Sequence, residues 1–178
     1  MHDIPPSDPE PEDIGEDLGP RAGADEEIDY ELLSLNAQLC FALYSTSRSM
    51  TAAYRPFLED MHLTYPQYLV LLALWERPGI TMKDLGEQVH LDYGTLSPLV
   101  ARLQSRGLVE SVRSATDGRA VVLHATDSSR ELQHGAQQMI RTVLELVDVP
   151  IEEIEALRDT VKALGARLDA AASAARAR

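Results

Sequence analysis

Residues 81–125 read TMKDLGEQVHLDYGTLSPLVARLQSRGLVESVRSATDGRAVVLHA, and the fold is decided there. Thr81-Met82-Lys83-Asp84 opens like a capping box, a hydroxyl followed three residues later by an acid, and starts a short helix ending near His90. A tight turn leads into a longer helix, roughly Tyr93 to Arg106, closed by Gly107. The start of that helix stays open. Thr95 suits an N-cap with Pro98 at N3, where a missing N–H costs nothing, and this leaves Asp92 to Gly94 as turn. After Gly107 the period changes. Leu108–Arg113 and Val121–Ala125 are β-branched and flank the turn Ala115-Thr116-Asp117-Gly118, which gives a hairpin.

Upstream, Thr64 caps a helix with Pro66 in its first turn, running to about Trp75 and stopped by Pro78-Gly79. Before it, Leu32, Leu35, Leu39, Leu43, Met50, Tyr54, Phe57 and Leu58 recur at helical steps from Ile28 onward. Pro56 should kink or nearly end that helix. Downstream, Asp127 reads as a cap, and Leu132, Met139, Val143 and Val147 mark one helix face before Pro150. A last helix, Ile151 to about Ala172, carries Ile154, Leu157, Val161, Leu164 and Leu168. Helix, short helix, turn, longer helix and hairpin over residues 65–126 spell a winged helix-turn-helix. The fold class is therefore mainly α with a small β-hairpin wing. The long apolar stripes of the flanking helices fit either a core or a helical homodimer interface, and the second is favoured. The chain divides into residues 1–27, an acidic tail; 28–62, an N-terminal dimerisation helix; 63–126, the winged helix; and 127–178, C-terminal dimerisation helices.

The 178 residues carry a net charge of −13, unevenly spread. Residues 1–31 hold 12 acids and one base, whereas the rest holds 17 acids and 15 bases. The first 27 residues also hold five of the ten prolines, too few apolar groups to offset ordering entropy, and read as a disordered, solvated tail. The alternative is an acidic arm that mimics DNA. The global acidity thus says little about DNA binding. A single cysteine excludes a disulfide framework and multi-cysteine metal sites. Tyr68–Trp75 is too short an apolar run to span a bilayer, and no signal peptide is evident, so a cytoplasmic protein without membrane contact is expected. His2, His62, His90, His124 and His134 lack ligand spacing, and there is no phosphate loop or nucleophile elbow, so no metal or cofactor is expected.

In a winged helix the second helix of the pair enters the major groove and the hairpin reaches an adjacent one. Between Tyr93 and Arg119, the cations Arg102, Arg106, Arg113 and Arg119 stand against Glu110 and Asp117, a net of +2 that a dimer doubles. Thr95 and Ser97 suit phosphates or base edges, and Gly94 allows close backbone approach. Arg119 at the wing tip suits a narrow minor groove. Taken singly, Thr95 and Ser97 could instead be caps and Arg119 a solvated turn residue.

Residues 35–45 (LNAQLCFALYS), 54–56 (YRP), 63–69 (LTYPQYL) and 91–99 (LDYGTLSPL), with Asp117 and Arg119 in an Asp-x-Arg wing signature, closely resemble the MarR family. Within it they resemble the branch of organic-hydroperoxide-sensing repressors, over roughly residues 32–165. The resemblance implies a homodimeric repressor of double-stranded operator DNA, without enzymatic activity, with Cys40 as its peroxide-sensing thiol. It assigns Tyr54 and Tyr65 as the tyrosines whose hydroxyls hold the reduced sulfur, and Asp117 to the turn of the wing. Cys40 and Tyr54 stand 14 residues apart on what reads as one helix, about 21 Å of rise, so an antiparallel partner chain would have to bring them together. Tyr44, at i+4, shares the face of Cys40 and joins the sensor pocket. No Lys or Arg lies near Cys40 in sequence, and flanking motif apart it would read as an inert buried thiol. Many relatives have Ser where this chain has Tyr93 and Lys where it has Ala101, and the second, resolving cysteine of some is absent. An oxidised Cys40 would then need an outside partner, such as a low-molecular-weight thiol in a mixed disulfide. Two alternatives stand beside the organic hydroperoxide as input: a small phenolic or lipophilic ligand that releases DNA, and a thiol peroxidase activity of Cys40.

Overall fold

The computed structural model describes residues 29–113 and 121–177. They fall into two compact units, one ending at Ala42 and the other beginning at Leu43. In the first, the helix expected from Ile28 does not form until Leu39. Polar side chains offer the backbone other partners. The Asp29 carboxylate accepts from the Glu31 and Leu32 N–H groups at 2.9 and 3.2 Å. Ser34 Oγ accepts from Ala37 N–H and caps a 3-10 turn, Leu35–Ala37, and Gln38 is extended while its side-chain amide donates to the Leu32 carbonyl. Such local bonds compete with helix.

Helix α1 spans Leu39–Asp60. Pro56, expected to kink or nearly end it, lies inside it. The bond it forfeits is to the Ala52 carbonyl, on a side of the helix where both residues are exposed, so the helix carries on to Asp60. Its end is a Schellman motif: His62 N–H donates to Glu59 O at 2.9 Å and Leu63 N–H to Leu58 O at 2.8 Å. His62 takes the left-handed position usually given to glycine, with φ 54°.

Helix α2 (Tyr65–Glu76) starts at Thr64 as expected, through a full capping box with Gln67. It is the central helix, burying Gln67, Tyr68, Val70, Leu71, Ala73 and Leu74. Strand β1 (Ile80–Thr81), helices α3 (Met82–Val89) and α4 (Tyr93–Ser105), and strands β2 (Val109–Arg113) and β3 (Val121–Ala125) follow. The sheet is antiparallel in the order β1-β3-β2, with Ile80 and Ser111 both opposite Leu123. The hairpin strands match the sequence reading; β1 does not appear in it, because two residues show no alternation. The Ala115–Gly118 turn lies outside the described residues.

Helix α5 (Asp127–Val147) is capped by Thr126, not Asp127. The Thr126 hydroxyl accepts from Ser129 N–H at 3.2 Å and also donates to Gly107 O at 2.7 Å, a double role that a carboxylate cannot fill. Ser129, wholly buried, accepts from the Trp75 indole N–H at 2.8 Å and ties α5 to α2. Helix α6 runs Ile151–Arg176, beyond the expected end at Ala172. The core gathers Leu58, Leu71, Leu74, Leu85, Leu96, Val100, Leu103, Leu123 and Met139. The α1 stripe divides: Leu58 is in the core with Tyr54 and Phe57 packed against it, while Leu39 and Met50 stay exposed, and the α6 stripe stays outside. Met50 is 51% exposed, Leu157 61% and Leu168 57%, and α6 buries no residue in the single chain. That leaves apolar faces for a partner, as the homodimer reading requires.

Candidate nucleic-acid interface and thiol site

The cap of α4 is Asp92, correcting the alternative that placed Thr95 there. One carboxylate oxygen accepts from Thr95 N–H at 2.9 Å, the other from the Thr95 hydroxyl at 2.8 Å. These two bonds hold the Asp92 carboxyl below the usual carboxylate range. Pro98 therefore sits inside the helix rather than at N3. Gly94 follows the cap; a Cβ there would come within 3.1 Å of Asp92 Oδ1, so the glycine leaves the capping carboxylate its place.

Helical spacing sorts the rest of α4. Leu96, Val100 and Leu103 are buried. On the opposite side Gly94, Pro98, Ala101 and Ser105 form an exposed row of small groups. Thr95 and Arg102 flank the row on one side, both exposed; Tyr93, 70% exposed, and half-buried Ser97 flank it on the other. A helix with a low outer ridge and polar shoulders can enter a groove closely. An open cleft of about 880 Å³ separates the start of α4 from α3 and Val121, with Lys83, Glu87, His90 and Tyr93 at its walls. Arg113 is exposed at the end of β2. Asp117 and Arg119 lie outside the described residues.

Arg106 behaves differently from the other candidate cations. Its guanidinium donates to the His62 carbonyl at 2.5 Å and to the Met61 carbonyl at 3.2 Å. These two carbonyls follow α1, where the helix leaves acceptors without intrahelical donors. Its turn toward α1 was hidden in the sequence, since donor and acceptors are 44 and 45 residues apart.

Cys40 is a free, exposed thiol in the first turn of α1, within the first unit. The tyrosines lie in the second unit, and the structure brings Tyr54 and Tyr65 together. Their rings stack with centroids 5.9 Å apart and planes 10° from parallel. Sequence reasoning missed the third member, Tyr68. Its ring lies 6.5 Å from Tyr54 and 6.3 Å from Tyr65, tilted by 52° and 51°. Tyr68 is 3% exposed, and burial, with the two neighbouring phenols adding, pushes its hydroxyl up to about 12. Burial also raises Tyr54, Tyr65 adding to it. Both therefore stay neutral hydrogen-bond donors at physiological pH. Tyr44 pairs with Arg48, another residue the sequence reading passed over: Arg48 Nη1 donates to Tyr44 Oη at 3.2 Å, and the guanidinium lies 5.7 Å from the ring centroid. The i, i+4 spacing on one helix was the available signal. Among the described residues no cluster of His, Cys, Asp and Glu could hold a metal, and no helix is long and apolar enough to cross a membrane.

The model of the MarR family matches residues 63–121. Over 135 residues the chain is 39% identical to the organic hydroperoxide resistance transcriptional regulator of Bacillus subtilis, covering 76% of this chain and 92% of that one. It is also similar to two solved structures of AbfR, a protein of Staphylococcus epidermidis. Reduced AbfR bound to DNA is 35% identical with a TM-score of 0.59, over 75% of this chain and 98% of that one. Overoxidized AbfR bound to DNA is 34% identical with a TM-score of 0.60, over 77% and 99%.

Proposed function

This chain belongs to the MarR family, and on that premise we propose that it is a homodimeric, peroxide-responsive repressor whose reduced form binds operator DNA and whose oxidised form lets go. It is a DNA-binding transcriptional regulator and not an enzyme. The observation that carries the redox reading is one free, exposed thiol, Cys40, in a chain so similar to a regulator of organic hydroperoxide resistance. Release by a small phenolic ligand has no comparable support.

The two α4 helices of a dimer would enter successive major grooves, about 34 Å apart. Gly94, Thr95 and Ser97 meet phosphates or base edges, Arg102 the backbone, and Arg119 the minor groove beside the wing turn at Asp117. Residues 28–62 and 127–178 supply the dimer interface through the exposed stripes of α1 and α6, 63–126 is the reading head, and 1–27 the acidic tail. The work is done in the cytoplasm, on DNA.

At the sensor, the Cys40 sulfur attacks the distal oxygen of an organic hydroperoxide and the O–O bond breaks. The alkoxide leaves as an alcohol once protonated, and the sulfur, oxidised by two electrons, becomes a sulfenic acid. A low-molecular-weight thiol can then condense with it, forming a mixed disulfide and releasing water. In the dimer, the Tyr54 and Tyr65 hydroxyls, fixed side by side by their stacked rings, hold the reduced sulfur, with Tyr44 beside it. Oxidation disturbs those contacts and reorients the reading heads.

The test is an anisotropy titration of the reduced protein onto the DNA upstream of its own gene, before and after an organic hydroperoxide, with Cys40→Ser in parallel. The wild type should bind and be released; Cys40→Ser should bind and stay bound. A Cys40→Ser protein that also lets go under peroxide would overturn the thiol as sensor.

A further inference from the structure

Arg106 joins two elements that the regulatory cycle must connect. It sits at the C-cap of α4, the helix proposed to read DNA, and its guanidinium forks onto the carbonyls of Met61 and His62 at the end of α1. Upstream on α1 lies Tyr54, one of the sensor tyrosines. The Schellman motif satisfies the Leu58 and Glu59 carbonyls inside the helix end, and Arg106 takes the carbonyls of Met61 and His62 just beyond it. A cation there also meets the negative end of the α1 dipole. The α1–α2 corner is short and fixed at both sides, by the αL residue His62 and by the Thr64–Gln67 capping box, so displacement of the α1 end is handed on rather than absorbed.

We propose that Arg106 is a positioning residue that fastens the end of the sensor helix α1 to the end of the reading helix α4, so that the redox state at the sensor sets the pose of α4 on DNA. The inference rests on the redox reading above. It separates Arg106 from the remaining cations of the reading head: its part is to transmit, not to neutralise a phosphate.

The distinction can be measured with Arg106→Lys and Arg106→Gln beside the wild type. Reduced and peroxide-treated protein are titrated onto the upstream DNA at several salt concentrations. Oxidation of Cys40 is followed separately by mass spectrometry, and thermal melts establish that each variant is folded. A lysine keeps the charge but cannot fork onto two carbonyls. The positioning role predicts that both variants lose coupling: Cys40 oxidises as before, but the ratio of oxidised to reduced dissociation constants falls by about fivefold or more, the lower end of ordinary coupling. The salt slope stays at the wild-type value. A phosphate contact predicts the reverse and would overturn the proposal: lysine near wild type, glutamine with a salt slope smaller by about 0.9 for each phosphate lost, and the release ratio intact. An unchanged ratio with an unchanged slope overturns it as well. If the wild type keeps its DNA once Cys40 is fully oxidised, the redox reading itself fails, and the signalling role of Arg106 fails with it. That outcome is distinguished because it shows in the wild type.

Discussion

Gly86 of α3 packs against the turn that leads into α4, and replacing it with alanine tests how tightly that crossing is built. An ideal Cβ at Gly86 would lie 2.8 Å from the Leu91 carbonyl oxygen and 3.6 Å from Leu96 Cδ2. The second distance is ordinary contact. The first is about half an ångström too short for a carbon against a carbonyl oxygen. Relief is difficult, because the neighbour is backbone and is held: Leu91 N–H donates to Gly86 O at 3.0 Å, and the next residue, Asp92, caps α4. Overpacking of this kind costs about 1–3 kcal/mol. Alanine's better helix propensity returns roughly 1 kcal/mol, so the net loss should be about 0–2 kcal/mol. Gly135→Ala supplies the reference, since the same change in α5 meets only the flexible Met61 Sδ at 3.4 Å. It should stabilise by up to about 1 kcal/mol. Urea unfolding at matched protein concentration should then separate the two midpoints by roughly 0.5–1.5 M, given a slope near 2 kcal/mol/M. Gly86→Ala should also weaken DNA binding, since the displacement falls between α3 and α4. If Gly86→Ala is as stable as Gly135→Ala, the close approach does not constrain the crossing and the reasoning is wrong.

Two further outcomes follow from buried polar groups. Tyr68, pushed up to about 12, should ionise last in a spectrophotometric tyrosinate titration, and Tyr68→Phe should remove that late step. Because its folded value is raised above 10, its contribution to stability is complete below pH 10 and is lost as pH climbs through about 12; a titration complete near 10 would contradict the burial of its hydroxyl. Trp75→Phe and Ser129→Ala should each cost about 1–3 kcal/mol by breaking the bond between α2 and α5, and the double variant should cost less than their sum; additive losses would show that the two side chains act independently.

The elements that sequence resolved are those whose signals are local. Thr64, with Pro66 in the first turn after it, announces α2, and the shift to β-branched residues after Gly107 announces the hairpin. Where two residues able to cap lie within a turn of each other, spacing alone does not choose. Asp92 wins over Thr95 because it receives both the backbone and the hydroxyl of Thr95, and Thr126 wins over Asp127 because it can donate to Gly107 as well as accept. The apolar period places the start of α1 too early, because it runs back through residues whose side chains bond their own backbone. The site divides the same way. Cys40, Tyr54 and Tyr65 stood out through their flanking motifs, whereas Tyr68 needs the packing of α2 on α1 to be seen beside Tyr54. Arg106 looked like one more basic residue after a DNA-reading helix until the end of α1 was placed against it.

The role proposed for Arg106 bears on how the reading head holds DNA. Between Thr81 and Arg113 the chain has four cations, Lys83, Arg102, Arg106 and Arg113, against four acids, Asp84, Glu87, Asp92 and Glu110. With Arg106 directed at α1, the cations left to face phosphates are outnumbered. Counterion release grows with each phosphate neutralised and is indifferent to sequence, so a head of this kind has a weak general attraction to DNA. Under the function proposed above, its affinity comes from contacts that require the right pose: the Gly94 backbone, the Thr95 and Ser97 side chains, Arg102 and Arg119 at their grooves, and two heads spaced by one turn. Base and phosphate contacts of this geometry contribute about 1–3 kcal/mol each only when donor and acceptor meet. A small rotation of α4 then removes several at once, and little electrostatic hold remains to keep the dimer nearby. On the proposed cycle, a near-neutral reading head is what lets a change at one thiol, transmitted through Arg106, end repression.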